Sequence, residues 1–129
     1  MCRQAPPLAA RLRSGMALDL FAGVSVRDYG IAVAWYEQLF GGPPSFLPND
    51  VEAVWELGEH QFLYIEVVPE HAGHAQHTLF VEDFEGVLRG IAERGLVPAA
   101  RETYENGVRH ATFFDPDGNE VSYGGAPLE

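Results

Sequence analysis

Phe113-Phe114-Asp115-Pro116-Asp117-Gly118-Asn119-Glu120-Val121-Ser122-Tyr123 sets two β-prone apolar runs around a turn in which each residue has a physical task. Asp115 can fold its carboxylate onto the backbone ahead, Pro116 presets φ near about −65°, and Gly118 or Asn119 can take positive φ. The stretch reads as a hairpin near the end of a sheet. Upstream of it, one architecture occurs twice. Val24-Ser25-Val26-Arg27-Asp28-Tyr29 and Leu79-Phe80-Val81-Glu82-Asp83-Phe84 are each an alternating strand running into an Asp and an aromatic residue, 55 positions apart.

A helical pattern follows each Asp, through Ile31, Val33, Ala34, Trp35, Leu39 and Phe40 in the first copy and Val87, Leu88, Ile91 and Ala92 in the second. Asp28 and Asp83 are expected N-caps, because a carboxylate there accepts from free helical N–H groups and suits the dipole. Gly41-Gly42-Pro43-Pro44 and Gly95 are the stop signals. Strands are expected over Ala53 to Leu57 and Phe62 to Val68 in the first half, and over about Gly107 to Phe114 and Glu120 to Tyr123 in the second. Each half is thus strand, helix, then two or three strands, and the halves are joined by Pro69 to Ala75: a duplicated α+β unit.

The 129 residues suit one domain with a real core. Residues 1–15 read as a disordered tail, with Met16 an alternative start, and 16–129 as a single domain with modules at about 18–68 and 76–124. The only cysteine, Cys2, falls in the tail, so no disulfide is expected and a cytoplasmic location follows. No apolar run approaches the roughly 20 residues of a membrane span. The formal net charge is −11, and all eight basic residues are arginine, three of them in the tail. Such a surface repels phosphate backbones and anionic lipid, so neither nucleic acid nor membrane is an expected partner, whereas a cationic ligand would be attracted.

These motifs resemble the vicinal oxygen chelate superfamily, which contains glyoxalase I, extradiol dioxygenases and bleomycin-resistance proteins. The resemblance rests on Val24-x-Val26-x-Asp28, on Trp35-Tyr36 leading into Leu39-Phe40-Gly41, on Val81-x-Asp83 and on Asp115-Pro116-Asp117-Gly118-Asn119. It implies two tandem βαβββ modules forming a curled mixed sheet around a cavity, commonly completed within a homodimer. Enzymes of the family hold a divalent metal through side chains pointing into that cavity. Carried over one by one, the ligand positions fall on Phe21, seven residues before Asp28, on Gln76, seven before Asp83, on Glu66, and on Ser122, seven after Asp115. The repeat offsets, 55 between Phe21 and Gln76 and 56 between Glu66 and Ser122, suggest that the four are equivalent pairs.

Phe cannot bind a metal, a neutral Ser hydroxyl is a poor ligand, and Gln offers only an amide oxygen, so Glu66 would be the sole anionic donor. The expectation is a family member with no metal and no cofactor, which sets aside metal-dependent glyoxalase and dioxygenase chemistry. His71, His74 and His77 match no helix or strand face. The first two read as solvated linker histidines, and His77, alternating with Gln76, should point away from the cavity. His60 belongs to a turn. His110 sits beside Arg109 in a strand, where either could face inward.

Strand alternation assigns the remaining lining. Phe21, Gly23 and Ser25, then Phe62, Tyr64 and Glu66, then Gln76, Thr78 and Phe80 share the inner face, while Val24, Val26, Leu63, Ile65, Leu79 and Val81 go under helices. Trp55 could join the inner set. The expected ligand-binding residues are therefore Phe21, Ser25, Trp55, Phe62, Tyr64, Glu66, Gln76, Thr78, Phe80 and Ser122. Aromatic and polar groups mixed on one face suit a small-molecule pocket, with Glu66 as counter-charge to an aromatic or cationic ligand, as in antibiotic sequestration. The alternatives are an enzyme of lyase, isomerase or dioxygenase type, without metal or with a non-standard one, and an orphan or regulatory dimer with an empty cavity. In the metal-free enzyme, Glu66, with His110 or Tyr64, would remove a proton next to a carbonyl.

Overall fold

The computed structural model describes residues 18–128, so the tail, Cys2 and Met16 lie outside the described residues. The chain runs β1 (Leu20–Val26), α1 (Tyr29–Phe40), β2 (Phe46–Asn49), β3 (Glu52–Gly58) and β4 (Gln61–Val67). A 3-10 turn (Pro69–His71) leads to β5 (Gln76–Phe80), α2 (Phe84–Glu93), β6 (Ala100–Thr103), β7 (Arg109–Phe114) and β8 (Glu120–Gly125). The order is βαβββ twice. Each half forms its own four-stranded mixed sheet, β1-β4-β3-β2 and β5-β8-β7-β6, in which the first strand pairs in parallel with the last.

Local chemistry sets the helix ends. Asp28 accepts from the Ile31 N–H at 2.9 Å and Asp83 from the Gly86 N–H at 3.0 Å, so both expected caps form. Gly41 closes α1 with φ of 85°, a conformation that favours glycine. The outer strands β2 and β6 are the elements that hydrophobic pattern does not mark out: both are four residues long and exposed throughout, and β2 contains Pro48. No described helix is long and apolar enough to cross a membrane.

The core lies between helices and sheets. Val24, Val26, Leu63 and Ile65 are buried with Ala32, Tyr36 and Leu39 of α1, and Ala111, Phe113, Val121 and Tyr123 with Phe84, Leu88 and Ile91 of α2. Both helices occupy the same side, tied by Arg94, whose Nη2 donates to the Leu39 carbonyl at 2.9 Å, and by Gln38, whose amide donates to the Arg94 carbonyl at 3.0 Å. The opposite faces of the two sheets therefore turn toward a common side.

The opening hairpin fastens the modules together. Gly118 takes the positive φ, at 95°, and Asp115 Oδ1 accepts from the Asp117 and Asn119 N–H groups. Asp115 Oδ2 then accepts from the Tyr36 hydroxyl at 2.9 Å and the Asn119 amide at 2.8 Å. Asn119 is 0 % exposed; its amide also donates to the Ser25 carbonyl, and its Oδ1 accepts from Gly73 and Ala75 of the linker. One turn thereby satisfies buried groups of β1, α1 and the linker. Burial and the Asp115 charge push the Tyr36 hydroxyl well above its ordinary pKa, so it stays a donor.

Candidate binding site

Residues directly opposed on neighbouring strands share a face, so the register defines rows across each sheet. In module one the inner rows are Phe21, Phe62 and Glu56; then Gly23, Tyr64 and Val54; then Ser25, Glu66 and Glu52. In module two they are Gln76, Glu120 and Phe114; then Thr78, Ser122, Thr112 and Ala100; then Phe80, Gly124, His110 and Glu102. All the expected lining residues except Trp55 stand on these faces.

Trp55 corrects the expectation. It lies opposite Leu63 on the helix side, is 3 % exposed, donates from Nε1 to the Gly42 carbonyl at 3.0 Å, and packs against Tyr36 and Phe40. It is core. The outer face of module two carries His77, which points away from the inner set as alternation required and meets the Gly23 carbonyl at 2.9 Å. His71 and His74 are exposed in the linker. Arg109 is also on the outer side, over the Phe84 ring, leaving His110 as the inward member of that pair.

The register also changes which positions are equivalent. Gly23 and Thr78 are 55 residues apart, and they stand opposite Tyr64 and Ser122. Tyr64, not Glu66, is the structural counterpart of Ser122, and Gly124 is the counterpart of Glu66. Counting residues missed this because the interval from first to last strand is longer in the second module than in the first.

Module one presents an aromatic platform. Phe21 stacks on Phe62 with centroids 4.5 Å apart and planes 9° from parallel, Phe46 meets Phe62 edge-on, and the Tyr64 hydroxyl lies over Gly23, where a Cβ would be 2.6 Å from it. With the Tyr64 ring in this position, only glycine fits at residue 23. Beside the platform, Glu66 faces Glu52, whose carboxylate also accepts from the Asn49 amide at 2.8 Å. Burial first, and then the hydrogen bond and charge of Glu52, push the Glu66 carboxyl above its ordinary pKa.

Module two presents a polar wall. Glu120 was not singled out by sequence reasoning, yet it accepts from the Gln76 amide at 3.3 Å and the Ser122 hydroxyl at 3.2 Å. Its place two residues before Ser122 on an alternating strand was the available signal. The faces of one chain are walls without a roof: Phe21 is 45 % exposed and Phe80 65 %.

The donor set does not suit the divalent ion of the family's enzymes. Phe21 is stacked, Gln76 and Ser122 are turned to Glu120, and Tyr64 takes the remaining equivalent station. Among the described residues no three His, Cys, Asp or Glu side chains converge to hold a metal. A separate cleft of about 570 Å³ by the end of α1 is remote from these faces, and its arginine, Arg94, is engaged with backbone carbonyls.

Comparison with known proteins gives concordant relationships. Residues 18–123 match the Glyoxalase/Bleomycin resistance protein/Dioxygenase superfamily. A glyoxalase/bleomycin resistance protein from Catenulispora acidiphila DSM 44928 is 55 % identical, over 86 % of this chain and 100 % of that one, with a TM-score of 0.83. A bleomycin-binding protein complexed with bleomycin shares the fold at 22 % identity, over 86 % and 98 % of the two chains, with a TM-score of 0.67. A lactoylglutathione lyase from Agrobacterium tumefaciens shares it at 17 % identity, over 84 % and 93 %, with a TM-score of 0.65. No curated protein matches the chain.

Proposed function

We propose, from the premise that the chain belongs to the Glyoxalase/Bleomycin resistance protein/Dioxygenase superfamily, that it binds a planar aromatic cation without metal, as a sequestering protein does. The observation that carries this reading is the stacked, half-exposed Phe21–Phe62 pair beside the facing Glu66 and Glu52 carboxyls. Aromatic faces attract cations and flat rings, each such contact contributing about 0.5–1.5 kcal/mol. Two opposed carboxyls cannot both ionise cheaply, and a ligand cation entering beside them would relieve that repulsion. The acidic surface draws cations in.

Open walls need a cover. A second copy of the chain is the proposed one, placing the polar face of one protomer over the aromatic platform of the other and enclosing a cavity between them. Exposed Phe46, Phe80 and Phe114 are the apolar surface such a contact would remove from water. Sequestration needs affinity alone, so the absence of the enzymes' metal donors costs it nothing.

The test is elemental analysis of untagged protein, followed by thermal-shift titration with nickel, zinc, manganese, iron(II) and benzamidine. Stabilisation by benzamidine but not by metals supports the reading. Stoichiometric metal, or stabilisation at micromolar metal that Glu66→Ala abolishes, overturns it.

A further inference from the structure

His110 Nδ1 is, among the described residues, the buried side-chain polar atom with no hydrogen-bond partner. Its ring stands on the inner face of β7, opposite Gly124 of β8 and Glu102 of β6. Phe80 lies against Gly124 on one side, and the Tyr104 ring is 5.5 Å away on the other. In the neutral imidazole one ring nitrogen is a donor and the other an acceptor. A donor N–H buried with nothing to receive it forfeits the stronger interaction with water, so the bare nitrogen belongs at Nδ1 and the proton at Nε2.

We infer that His110 is a ligand-recognising donor, its Nε2–H offered to a carbonyl or carboxamide oxygen of the molecule held between the two faces. The inference rests on the binding role proposed for those faces and adds to it a second recognition point, in the other module. Two other donors of the same wall are already engaged, the Gln76 amide and the Ser122 hydroxyl both going to Glu120. The arginines of β6 and β7 are on the outer side, Arg101 against Glu85 and Arg109 on the Ala126 carbonyl. A histidine with its proton at Nε2 donates there and does not act as a base through that atom. The ligand class is accordingly an aromatic cation that also carries a carbonyl oxygen.

Two measurements test this separately from the binding role. Two-bond nitrogen–proton correlation spectra of 15N-labelled protein, with the His110 signals assigned by their loss in His110→Gln, report the tautomer without any ligand. A proton at Nε2 is expected, and one at Nδ1 overturns the inference. Calorimetric titration then compares benzamidine with para-carbamoylbenzamidine, which adds a carbonyl oxygen. The wild type should prefer the carbamoyl compound by about tenfold, His110→Phe should abolish the preference, and His110→Gln, which restores a donor, should recover part of it. An unchanged preference in both variants overturns the donor role. If neither compound binds the wild type, the binding role itself fails, and the recognition role of His110 fails with it.

Discussion

Glu52 and Glu66 stand directly opposite each other across the β3–β4 ladder, so two carboxyls occupy one spot on the aromatic face of module one. The Glu66 carboxyl is pushed up by burial and by Glu52. A carboxyl whose folded pKa exceeds its unfolded value contributes stability that is full below the ordinary carboxylate range and is lost as pH rises through the folded value. Glu66→Gln should therefore be more stable than wild type at pH 8 and no more stable at pH 4. The gain should stay under about 1 kcal/mol because the pair is close to solvent. Urea unfolding at both pH values measures this, and a variant weaker than wild type at pH 8 contradicts it.

Gly118→Val should cost about 1–3 kcal/mol, since a β-branched residue is strained at the φ of 95° found there. Asn119→Ala should cost at least as much, because the amide serves β1, the linker and Asp115 while fully buried. Denaturant midpoints read both. Wild-type stability of Gly118→Val would mean that the turn does not need its left-handed residue.

Much of this was readable because particular residues carry unambiguous physics. Asp28 and Asp83 announced the helix starts, the Asp115 to Asn119 turn announced a hairpin, and period-two alternation separated Val24 and Val26 from Phe21 and Ser25. The family resemblance supplied the βαβββ order that β2 and β6, short and exposed, could not announce. Trp55 was misplaced because its strand alternates weakly: Ala53, Val54 and Trp55 are all buried, so no period fixed its phase. The equivalence of Glu66 with Ser122 failed because pairing register, not chain distance, decides which residues lie side by side. Glu120 and the inward His110 emerged only when neighbouring strands were set beside each other.

Trp55→Phe separates core from site. The substitution removes a hydrogen bond to Gly42 and part of a packed aromatic cluster, so stability should fall by about 1–3 kcal/mol. Benzamidine affinity at a temperature where the variant is folded should be unchanged. A selective loss of affinity would put Trp55 back in the binding wall.

Phe114→Glu tests the cover. Phe114 is half-exposed on the inner face of module two, so a carboxylate there should leave the fold intact while opposing association of two acidic copies. Sedimentation velocity at micromolar protein should give a dimer for the wild type and a monomer for the variant, with unchanged circular dichroism. A monomeric wild type contradicts the shared cavity.

The most direct test of the central claim is calorimetric titration of chelator-treated protein with benzamidine and with neutral benzamide. The account predicts saturable binding of benzamidine without metal, weaker binding of benzamide, and about a tenfold loss for benzamidine in Glu66→Gln and in Phe21→Ala. Binding should strengthen as pH rises through the Glu66 titration, because the cation favours the ionised carboxyl. Binding that requires added metal, or that neither substitution changes, would contradict the account.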